Sequence, residues 1–356
     1  VCKQARRNTR IKCSRSISGV STFIMTQPIK ILSLQPKEVL DIRFWPTDIC
    51  NFNCTYCFPG SKDANFRYPK NVDTVVKNFS LLFDLYKEKH NKKKFDINLV
   101  GGGEPTLWPY FKEFCDGIRQ QHNVELTVTT NGSRSLKWWK KNGPAVDKVT
   151  LSVHHEFADI DHTIEVLDYL YSSGTTCTAL VLMDAEHFDK CKGIVDKFQG
   201  SKYPWFIEAK PIVDFAGKDS LSYTEEQKKY MNQDLKRLPD SEFLLNNMHL
   251  FRLHDSIAVY SDENIETKRT GDYINTDTNY YQGWNCNVAL ENLVIAFDGT
   301  VKGSCNASLF KDYNINLFAE DFEENFNKAS FNLSTIQCPF KKCSCQPDTH
   351  ITKWQL

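Results

Sequence analysis

Six short runs along the first two thirds of the chain have strand-like patterns of apolar residues, most of them interrupted by polar residues, and these runs predict β-strands. Between the first two runs, apolar residues recur with the i, i+3, i+4, i+7 spacing of a helix that buries one face, from Val72 to Tyr86. Helical patterns lie between most of the other runs. Strands that alternate with helices indicate an α/β protein with a parallel sheet or barrel. The strand-like runs are residues 39–45, 96–101, 125–130, 148–153, 177–183 and 205–213.

The last third of the chain has a different pattern. The run "LVIAFDGTVKG" predicts a β-hairpin that turns at Asp298 and Gly299. Before it, residues 216–280 are polar and aromatic and predict a connecting region of helix and loop. One amphipathic helix is predicted from Thr224 to Leu238. Thr224 and Gln227 have the spacing of a capping box at its start.

Composition limits the class of protein. With 356 residues, 41% of them hydrophobic, the chain can bury a large core and is typical of a soluble globular protein. No apolar run approaches the roughly 18 residues that cross a bilayer, so we expect no membrane segment. The 44 basic residues balance 44 acidic ones, but residues 1–24 carry six basic residues and no acid. The rest is mildly acidic, which argues against nucleic acid as a partner and makes RNA modification a less favoured role.

The basic N-terminal segment has two interpretations. It is rich in Arg and Ser and lacks acids, as organellar transit peptides do. Met25 is also a plausible natural start, which would make residues 1–24 translated upstream sequence or an unstructured leader. In either case we expect residues 1–36 to comprise a disordered basic leader and an entry segment to the barrel, with Cys2 and Cys13 outside the fold.

The thirteen cysteines fall into distinct contexts. Cys115 and Cys191 lie on apolar faces of predicted helices and Cys177 lies in an apolar strand, so all three are predicted to be small buried hydrophobes. A disulfide framework does not suit the remaining eight, because such frameworks belong mostly to small secreted chains. We therefore predict metal ligation by two groups: Cys50, Cys54 and Cys57, and Cys286, Cys305, Cys338, Cys343 and Cys345.

The first group, "CNFNCTYC", has the spacing C-x3-C-x2-C. Zinc usually takes four ligands in paired C-x2-C knuckles, and no fourth cysteine or histidine lies nearby. Three thiolates on a cubane iron–sulfur cluster leave one iron open, which can bind a substrate or cofactor. This loop follows the first predicted strand, and the loop "GGGEPT" follows the second, so both lie where α/β barrels place functional groups.

Together these two loops resemble the radical S-adenosylmethionine (SAM) enzymes, over roughly residues 37–215. "CNFNCTYC" resembles their three-cysteine motif and "GGGEPTL" their Gly-Gly-Glu-Pro element. The resemblance implies a partial (β/α)6 TIM-type barrel over residues 37–215. It also implies reductive cleavage of SAM to a 5'-deoxyadenosyl radical that takes hydrogen from a substrate.

The resemblance also assigns residues. Cys50, Cys54 and Cys57 would hold a [4Fe-4S] cluster whose open iron chelates the amino and carboxylate groups of SAM. The remaining contacts to SAM would come from Tyr56 near the adenine, from Gly102, Gly103 and Glu104 at the amino group, and from Asn131, Ser152 and His154 at the ribose or carboxylate. For His154 and His155 a polar strand end without a functional role is an equally open interpretation. No catalytic acid or base is identified.

The second cysteine group resembles the auxiliary-cluster domains called twitch or SPASM in this family. Two cysteines flank the predicted hairpin and a C-x4-C-x-C run follows. The resemblance implies a smaller cluster-binding domain over residues 281–356. Full SPASM domains carry seven cysteines, whereas five are present here, so one auxiliary iron–sulfur cluster is expected. Its ligands would be Cys286, Cys305 and two of Cys338, Cys343 and Cys345; a structural zinc site is the alternative.

For function, we expect a radical SAM enzyme that modifies a peptide or protein side chain. The alternatives are a radical dehydrogenase of a small molecule, such as a sugar or aminoglycoside alcohol, and a non-catalytic metal-binding scaffold. A protein that only holds metal has no need of a glycine loop beside an open iron, so these motifs disfavour the scaffold. A one-electron reductant such as flavodoxin or ferredoxin is the expected partner, and the thiols favour the reducing cytoplasm.

Overall fold

The computed structural model describes residues 27–57, 68–201, 206–212, 223–231, 255–269, 272–273, 276–303, 315–329, 334–343 and 349–355. Of the predicted leader and entry segment, residues 1–26, with Cys2 and Cys13, lie outside these residues, whereas residues 27–36 are described and contain the first strand. Cys305 and Cys345 in the second cysteine group also lie outside the described residues.

Strands and helices follow one another in the order that the sequence predicts for the barrel. The strands are β1 Lys30–Ser33, β2 Val39–Phe44, β3 Lys94–Leu99, β4 Val124–Thr130, β5 Lys148–Val153, β6 Thr176–Met183, β7 Phe206–Pro211, β8 Asp255–Val259, β9 Ile265–Arg269, β10 Asn285–Cys286, β11 Asn292–Ile295, β12 Val301–Lys302, β13 Ile336–Gln337 and β14 Lys353–Trp354. The helices are α1 Val72–His90, α2 Phe111–Gln121, α3 Leu136–Asn142, α4 Ile160–Ser172, α5 Phe188–Gln199, α6 Glu225–Met231, α7 Val288–Glu291 and α8 Phe322–Ala329.

Strands β2 to β7 form the parallel sheet. Each strand pairs in parallel with the next in sequence, and a helix follows each of them along the chain. This confirms the predicted α/β fold, and the arrangement is that of a partial (β/α)6 barrel. Because the strands are parallel, their C-terminal ends meet at one edge, where the following loops converge.

Strand alternation separates an apolar from a polar face. On β2, Leu40, Ile42 and Phe44 are fully buried, and the Phe44 ring lies 5.3 Å from that of Phe79 in α1. Asp41 and Arg43, between them, point to the other face and form an ion pair at 3.0 Å. The apolar face therefore packs under the helices, and the inner side of the partial barrel is polar.

The charges on the inner side pair across strands. Lys94 of β3 contacts Glu125 of β4 at 2.7 Å, and Glu125 also pairs with Lys148 of β5. Lys94 also contacts Asp96 on its own strand at 3.1 Å. Burial raises the pKa of Asp96 to about 6. These pairs neutralise charges that burial would otherwise make costly.

Helix α1 shows why the predicted stripe forms a helix. Asn71 caps its N-terminus by accepting a hydrogen bond from the Thr74 backbone N–H at 3.1 Å. The helix ends at Asn91, whose φ of 52° is the left-handed conformation that commonly terminates helices. The predicted apolar positions from Val75 to Tyr86 are buried, as the spacing indicates.

The predicted hairpin is confirmed, and it extends the main sheet. Strands β11 and β12 pair antiparallel, with Ile295 opposite Val301, and Gly299 takes a φ of 86° in the turn. Strand β11 also pairs in parallel with β2. It thereby covers the edge of β2 that would otherwise leave backbone groups unpaired.

A second, antiparallel sheet has the strand order β13-β10-β14-β1-β8-β9. It joins a strand near the N-terminus, β1, to segments from the C-terminal third. We expected helix and loop in residues 216–280, whereas β8 and β9 within that stretch form a hairpin. Neither strand alternates apolar and polar residues, so the sequence pattern does not mark them. The division of the chain into domains stays a prediction.

The capping box at residue 224 is present. The Thr224 backbone N–H donates to Gln227 Oε1 at 2.9 Å, and the Gln227 N–H donates to Thr224 Oγ1 at 3.2 Å. Helix α6 follows, and the remainder of the predicted helix lies outside the described residues. Among the helices that the structure describes, none is both long and apolar enough to cross a membrane.

Buried polar contacts join α1 to the C-terminal third of the chain. The Tyr86 hydroxyl group donates to the Ala289 carbonyl at 2.7 Å. The Asn78 side-chain amide, which is also buried, donates to the carbonyls of Leu317 and Ala319 at 2.8 and 2.9 Å. Residues far apart in sequence therefore share the barrel's hydrophobic core.

We expect Tyr86→Phe to lower the free energy of unfolding by about 1–3 kcal/mol, because it leaves a buried carbonyl without its donor. Urea unfolding followed by circular dichroism measures this. Tyr110→Phe is the matched control, since the half-buried Tyr110 hydroxyl group makes no hydrogen bond to any described residue. Equal stability of the two variants would contradict the proposed link.

Candidate metal centre

The three-cysteine loop leaves the C-terminal end of β2. Within it, the Cys57 backbone N–H donates to the Cys54 carbonyl at 3.1 Å, and the Phe52 N–H donates to Cys50 Sγ at 3.4 Å. Cys54 is buried, and Cys50 and Cys57 are half-buried. These two hydrogen bonds fold the loop back on itself between Cys50 and Cys57.

The glycine loop after β3 lies against the cysteine loop. The Glu104 backbone N–H donates to the Ile49 carbonyl at 2.6 Å. A Cβ atom on Gly103 would lie 2.1 Å from that same Ile49 oxygen, so no larger residue fits there. Gly102 has a φ of 68°, in the left-handed region that favours glycine. The two loops therefore touch through their backbones immediately before Cys50.

Glu104 joins this loop to the end of β4. Its carboxylate is 2% exposed and accepts from the Thr106 N–H and hydroxyl, from the Thr130 hydroxyl and from the Asn131 N–H, at 2.6–3.0 Å. Burial raises the pKa of Glu104, and these hydrogen bonds oppose that effect. The observed role of Glu104 is to hold loops together, and its direct contact with a cofactor stays a prediction.

Asn131 reaches the cysteine loop from β4. Its side-chain Nδ2 donates to Asn51 Oδ1 at 2.9 Å and lies 3.9 Å from Cys50 Sγ. Asn51 in turn donates to the Ser133 hydroxyl at 2.9 Å. Because Asn51 lies inside the cysteine motif, these contacts fix the first cysteine relative to β4.

His154 reaches the same loop from β5. Its Nδ1 atom lies 3.3 Å from Cys54 Sγ and 3.2 Å from the Tyr56 hydroxyl oxygen. The His154 and Tyr56 rings stack with centroids 5.8 Å apart. Burial lowers the pKa of His154 to about 4, so the ring is neutral at pH 7. Ser152 is half-buried on the polar face of the same strand.

The sequence-based prediction missed Glu156, which also positions the cysteine loop. Its carboxylate accepts from the Thr55 backbone N–H at 2.9 Å and from the Thr55 hydroxyl at 2.5 Å. Thr55 directly follows Cys54. The acid in "VHHE", just past a strand end, was the available signal, but nothing in the sequence identifies its partner.

The three thiols suit a soft metal. Burial raises the pKa of the Cys54 thiol to about 12 and also raises that of Cys50. A cation must therefore stabilise the thiolates for ligation to occur. Three thiolates from one loop would leave a coordination position on a cluster for a further ligand, and Gly103 adds no side chain to the contact between the two loops. The residues present fit an iron–sulfur cluster with one open iron.

Of the second cysteine group, the structure describes Cys286, Cys338 and Cys343. Cys286 in β10 lies opposite Ile336 of β13, and the Cys338 N–H continues the ladder by donating to the Trp284 carbonyl at 2.8 Å. Cys286 and Cys338 thus share one face of the sheet as diagonal neighbours, about 7–8 Å apart. The Cys343 N–H donates to the Asn279 carbonyl at 2.9 Å.

Tyr281 lies among these cysteines. Its buried hydroxyl group has no hydrogen-bond partner among the described residues. Burial, and then the neighbouring Cys343, raise its pKa. A polar group left unpaired beside three cysteines fits a site that another group completes, but the ligand set and the auxiliary cluster stay predictions. Cys115, Cys177 and Cys191 are buried, as predicted for structural cysteines.

Comparisons with known proteins match the barrel. Residues 46–197 match the family model of the radical SAM superfamily. A GTP 3',8-cyclase of Haemophilus influenzae (strain PittEE) is 31% identical over 150 residues, which is 39% of this chain and 43% of the relative. One from Pasteurella multocida (strain Pm70) is 28% identical over 164 residues, 40% of this chain and 45% of the relative. The chain thus spans less than half the length of these relatives.

Two solved structures resemble the chain weakly. Native anSMEcpe with bound AdoMet and Cp18Cys peptide is 16% identical with a TM-score of 0.48, covering 83% of this chain and 82% of that one. BtrN in an open conformation is 13% identical with a TM-score of 0.36, covering 82% and 83%.

We expect Glu104→Gln to lower the free energy of unfolding by about 2 kcal/mol, because the side-chain amide presents hydrogens where the carboxylate accepts charge-assisted bonds. Glu113→Gln, at an exposed position of α2, is the control. Thermal or urea unfolding of both variants measures the difference. If Glu104→Gln unfolds like the control, the carboxylate does not join the loops.

Proposed function

Residues 46–197 are a radical SAM superfamily domain, and from this premise we propose that the chain cleaves SAM reductively and removes a hydrogen atom from its substrate. One observation carries the proposal. The loop that bears Cys50, Cys54 and Cys57 lies in backbone contact with the glycine loop at the C-terminal edge of the parallel strands.

The residues that would hold the cofactors lie on this edge. Cys50, Cys54 and Cys57 would ligate a [4Fe-4S] cluster, and the backbone at Gly102 and Gly103 would face the amino group of SAM. When bound, the cluster supplies the electron, and SAM the 5'-deoxyadenosyl group, for abstracting hydrogen from substrate. Tyr56, Asn131, Ser152 and His154 are the further contacts proposed for SAM.

Several residues of the chain would act by positioning. Glu104 and Asn131 hold the loops that carry the glycines and Cys50. Glu156 fixes Thr55, between Cys54 and Tyr56. Neutral His154 offers a ring nitrogen next to Cys54 and Tyr56 without adding charge. Placement and exclusion of water are what a protein contributes to chemistry of this kind.

For substrate we propose a peptide or protein side chain. Phe52, within the cysteine motif, stacks on Phe157 with ring centroids 5.4 Å apart, and Phe157 is 45% exposed. Exposed aromatic rings beside the reactive centre favour contact with apolar groups of a peptide. The cysteines of the second sheet would hold an auxiliary twitch-type cluster that accepts the second electron of a side-chain oxidation.

A small polar molecule is the second candidate. Half-buried polar groups on the inner side of the barrel, among them Asn98, Thr129 and Ser152, can hydrogen-bond a sugar or aminoglycoside alcohol. The similarity to enzymes named GTP 3',8-cyclase favours a nucleotide such as GTP. Against a triphosphate, Glu156, which contacts the cysteine loop, would repel phosphate charge. A flavodoxin or ferredoxin is the proposed reductant, in a reducing cytoplasm.

We expect anaerobically prepared protein to contain about eight irons and eight sulfides per chain, and the variant with Cys50, Cys54 and Cys57 all replaced by Ala to contain about four. Iron and acid-labile sulfide assays measure this. Cys115→Ala, a buried structural cysteine, controls for the loss of any thiol. If the unaltered protein contains about four irons and the triple variant none, the barrel alone holds a cluster. Zinc in place of iron would contradict the proposed chemistry.

We expect the reduced protein to release 5'-deoxyadenosine from SAM, and the rate to rise with its own substrate present. Liquid chromatography of anaerobic reactions with a peptide library or with GTP distinguishes the two substrate classes. Stimulation by peptides alone supports the first candidate, and stimulation by GTP alone supports the second. With the cluster verified, no 5'-deoxyadenosine at all would favour the scaffold.

A further inference from the structure

A second group of metal-ligating side chains lies next to the cysteine loop. His155 follows β5, Asp184 follows β6, and His187 immediately precedes α5. Because β5 and β6 are parallel neighbours, with Val153 paired to Val181, their C-terminal ends bring these residues together. Among the residues that the structure describes, this is the group whose three ligand atoms lie within 4.8 Å of one another.

Both imidazole rings converge on one carboxylate oxygen. Asp184 Oδ2 lies 3.0 Å from His155 Nε2 and 2.9 Å from His187 Nδ1. Its other oxygen, Oδ1, accepts from the Glu186 backbone N–H at 3.0 Å, which fixes the carboxylate plane. The side chain of His155 is 3% exposed and that of His187 is 55% exposed, so the group is anchored inside and opens toward solvent.

The spacing of these atoms is close to what a metal ion requires. Metal–nitrogen distances of about 2.0–2.1 Å and metal–oxygen distances of about 2.0–2.2 Å place tetrahedral ligand atoms roughly 3.3–3.5 Å apart. The observed 2.9 and 3.0 Å separations need to widen by only about half an ångström. His187 has the freedom to make that movement because its side chain is exposed.

A purely structural hydrogen-bond group is the competing explanation. It accounts for two N–H groups that donate to one carboxylate oxygen. It does not account for the placement of two imidazoles and a carboxylate at the C-terminal edge, where α/β folds bind ligands. The buried His155 Nδ1 atom has no hydrogen-bond partner among the described residues, so within them the ring's hydrogen bonding runs through Nε2 to Asp184.

We propose that His155 Nε2, His187 Nδ1 and an oxygen of Asp184 bind one divalent transition-metal cation of the Zn²⁺ class. Two nitrogen ligands and one carboxylate suit such an ion and leave a fourth position for water or for an oxygen or nitrogen of the substrate. The ligands carry one negative charge, so the loaded site is positive. Because His155 stacks on Tyr56 at 5.9 Å, this charge lies beside the cysteine loop.

The test uses the full chain with its clusters in place, stripped of loose metal on a chelating resin and dialysed anaerobically against Zn²⁺. We expect one equivalent of zinc whose Kd rises at least about tenfold in His187→Ala and in Asp184→Asn, since even outer-shell partners of a metal are worth about 10–100-fold. His162→Ala, a half-buried histidine of α4 that contacts the Arg134 carbonyl, is the matched control. Because the His187 side chain is 55% exposed, we expect His187→Ala to fold normally.

Zinc absorption spectroscopy separates this site from the C-terminal cysteines. We expect ligands at about 2.0–2.1 Å, typical of nitrogen and oxygen, rather than about 2.3 Å, typical of sulfur. A shell of sulfur alone, equal zinc affinity in His187→Ala and the control, or no bound zinc in the unaltered protein would each overturn the proposal.

Discussion

One backbone contact, between the glycine loop and the cysteine loop at the Ile49 carbonyl, determines how the candidate site is built. The Glu104 N–H donates to this oxygen at 2.6 Å, and the absence of a side chain on Gly103 lets the two loops meet. Any Cβ atom there would push the cysteine loop away from the strand ends. The position of the three cysteines and of the proposed cofactor-facing backbone thus depends on one close approach that only glycine permits.

The surrounding structure supports this contact from several sides. Asn131 and Glu156, from the ends of β4 and β5, bind residues between the cysteines, and buried Glu104 joins the glycine loop to β4. On the far side, β11 covers the edge of β2, the strand from which the cysteine loop departs. The Glu104 carboxylate and the Asn131 side chain, which would be costly to bury alone, are both hydrogen-bonded, and this stabilises one loop conformation.

Sequence reasoning recovered the parts that depend on local pattern. The six strands, helix α1, the hairpin at Gly299 and the capping box at Thr224 follow from periodicity and turn chemistry. It missed what depends on pairing between distant residues. The hairpin β8–β9 gains its stability in a sheet with β1.

The same limit applies to the site. The cysteine and glycine motifs can be recognised from their spacing. Glu156 and Asp184 each have a partner that lies far away in sequence, so no local pattern predicts it. Glu104 shows a further limit, because the motif implies a cofactor contact and the structure shows a carboxylate that accepts hydrogen bonds from neighbouring loops. Only the folded chain reveals which buried polar groups meet.

The central claim is that the open iron of a cluster on Cys50, Cys54 and Cys57 binds SAM. Electron paramagnetic resonance of the reduced protein, recorded before and after SAM is added, tests it directly. The account predicts that one component of the reduced-cluster signal changes on addition of SAM and that this component is absent from Cys54→Ala, whereas the signal of an auxiliary cluster stays. A spectrum in which no component responds to SAM, or a SAM-responsive component that persists in Cys54→Ala, would contradict it.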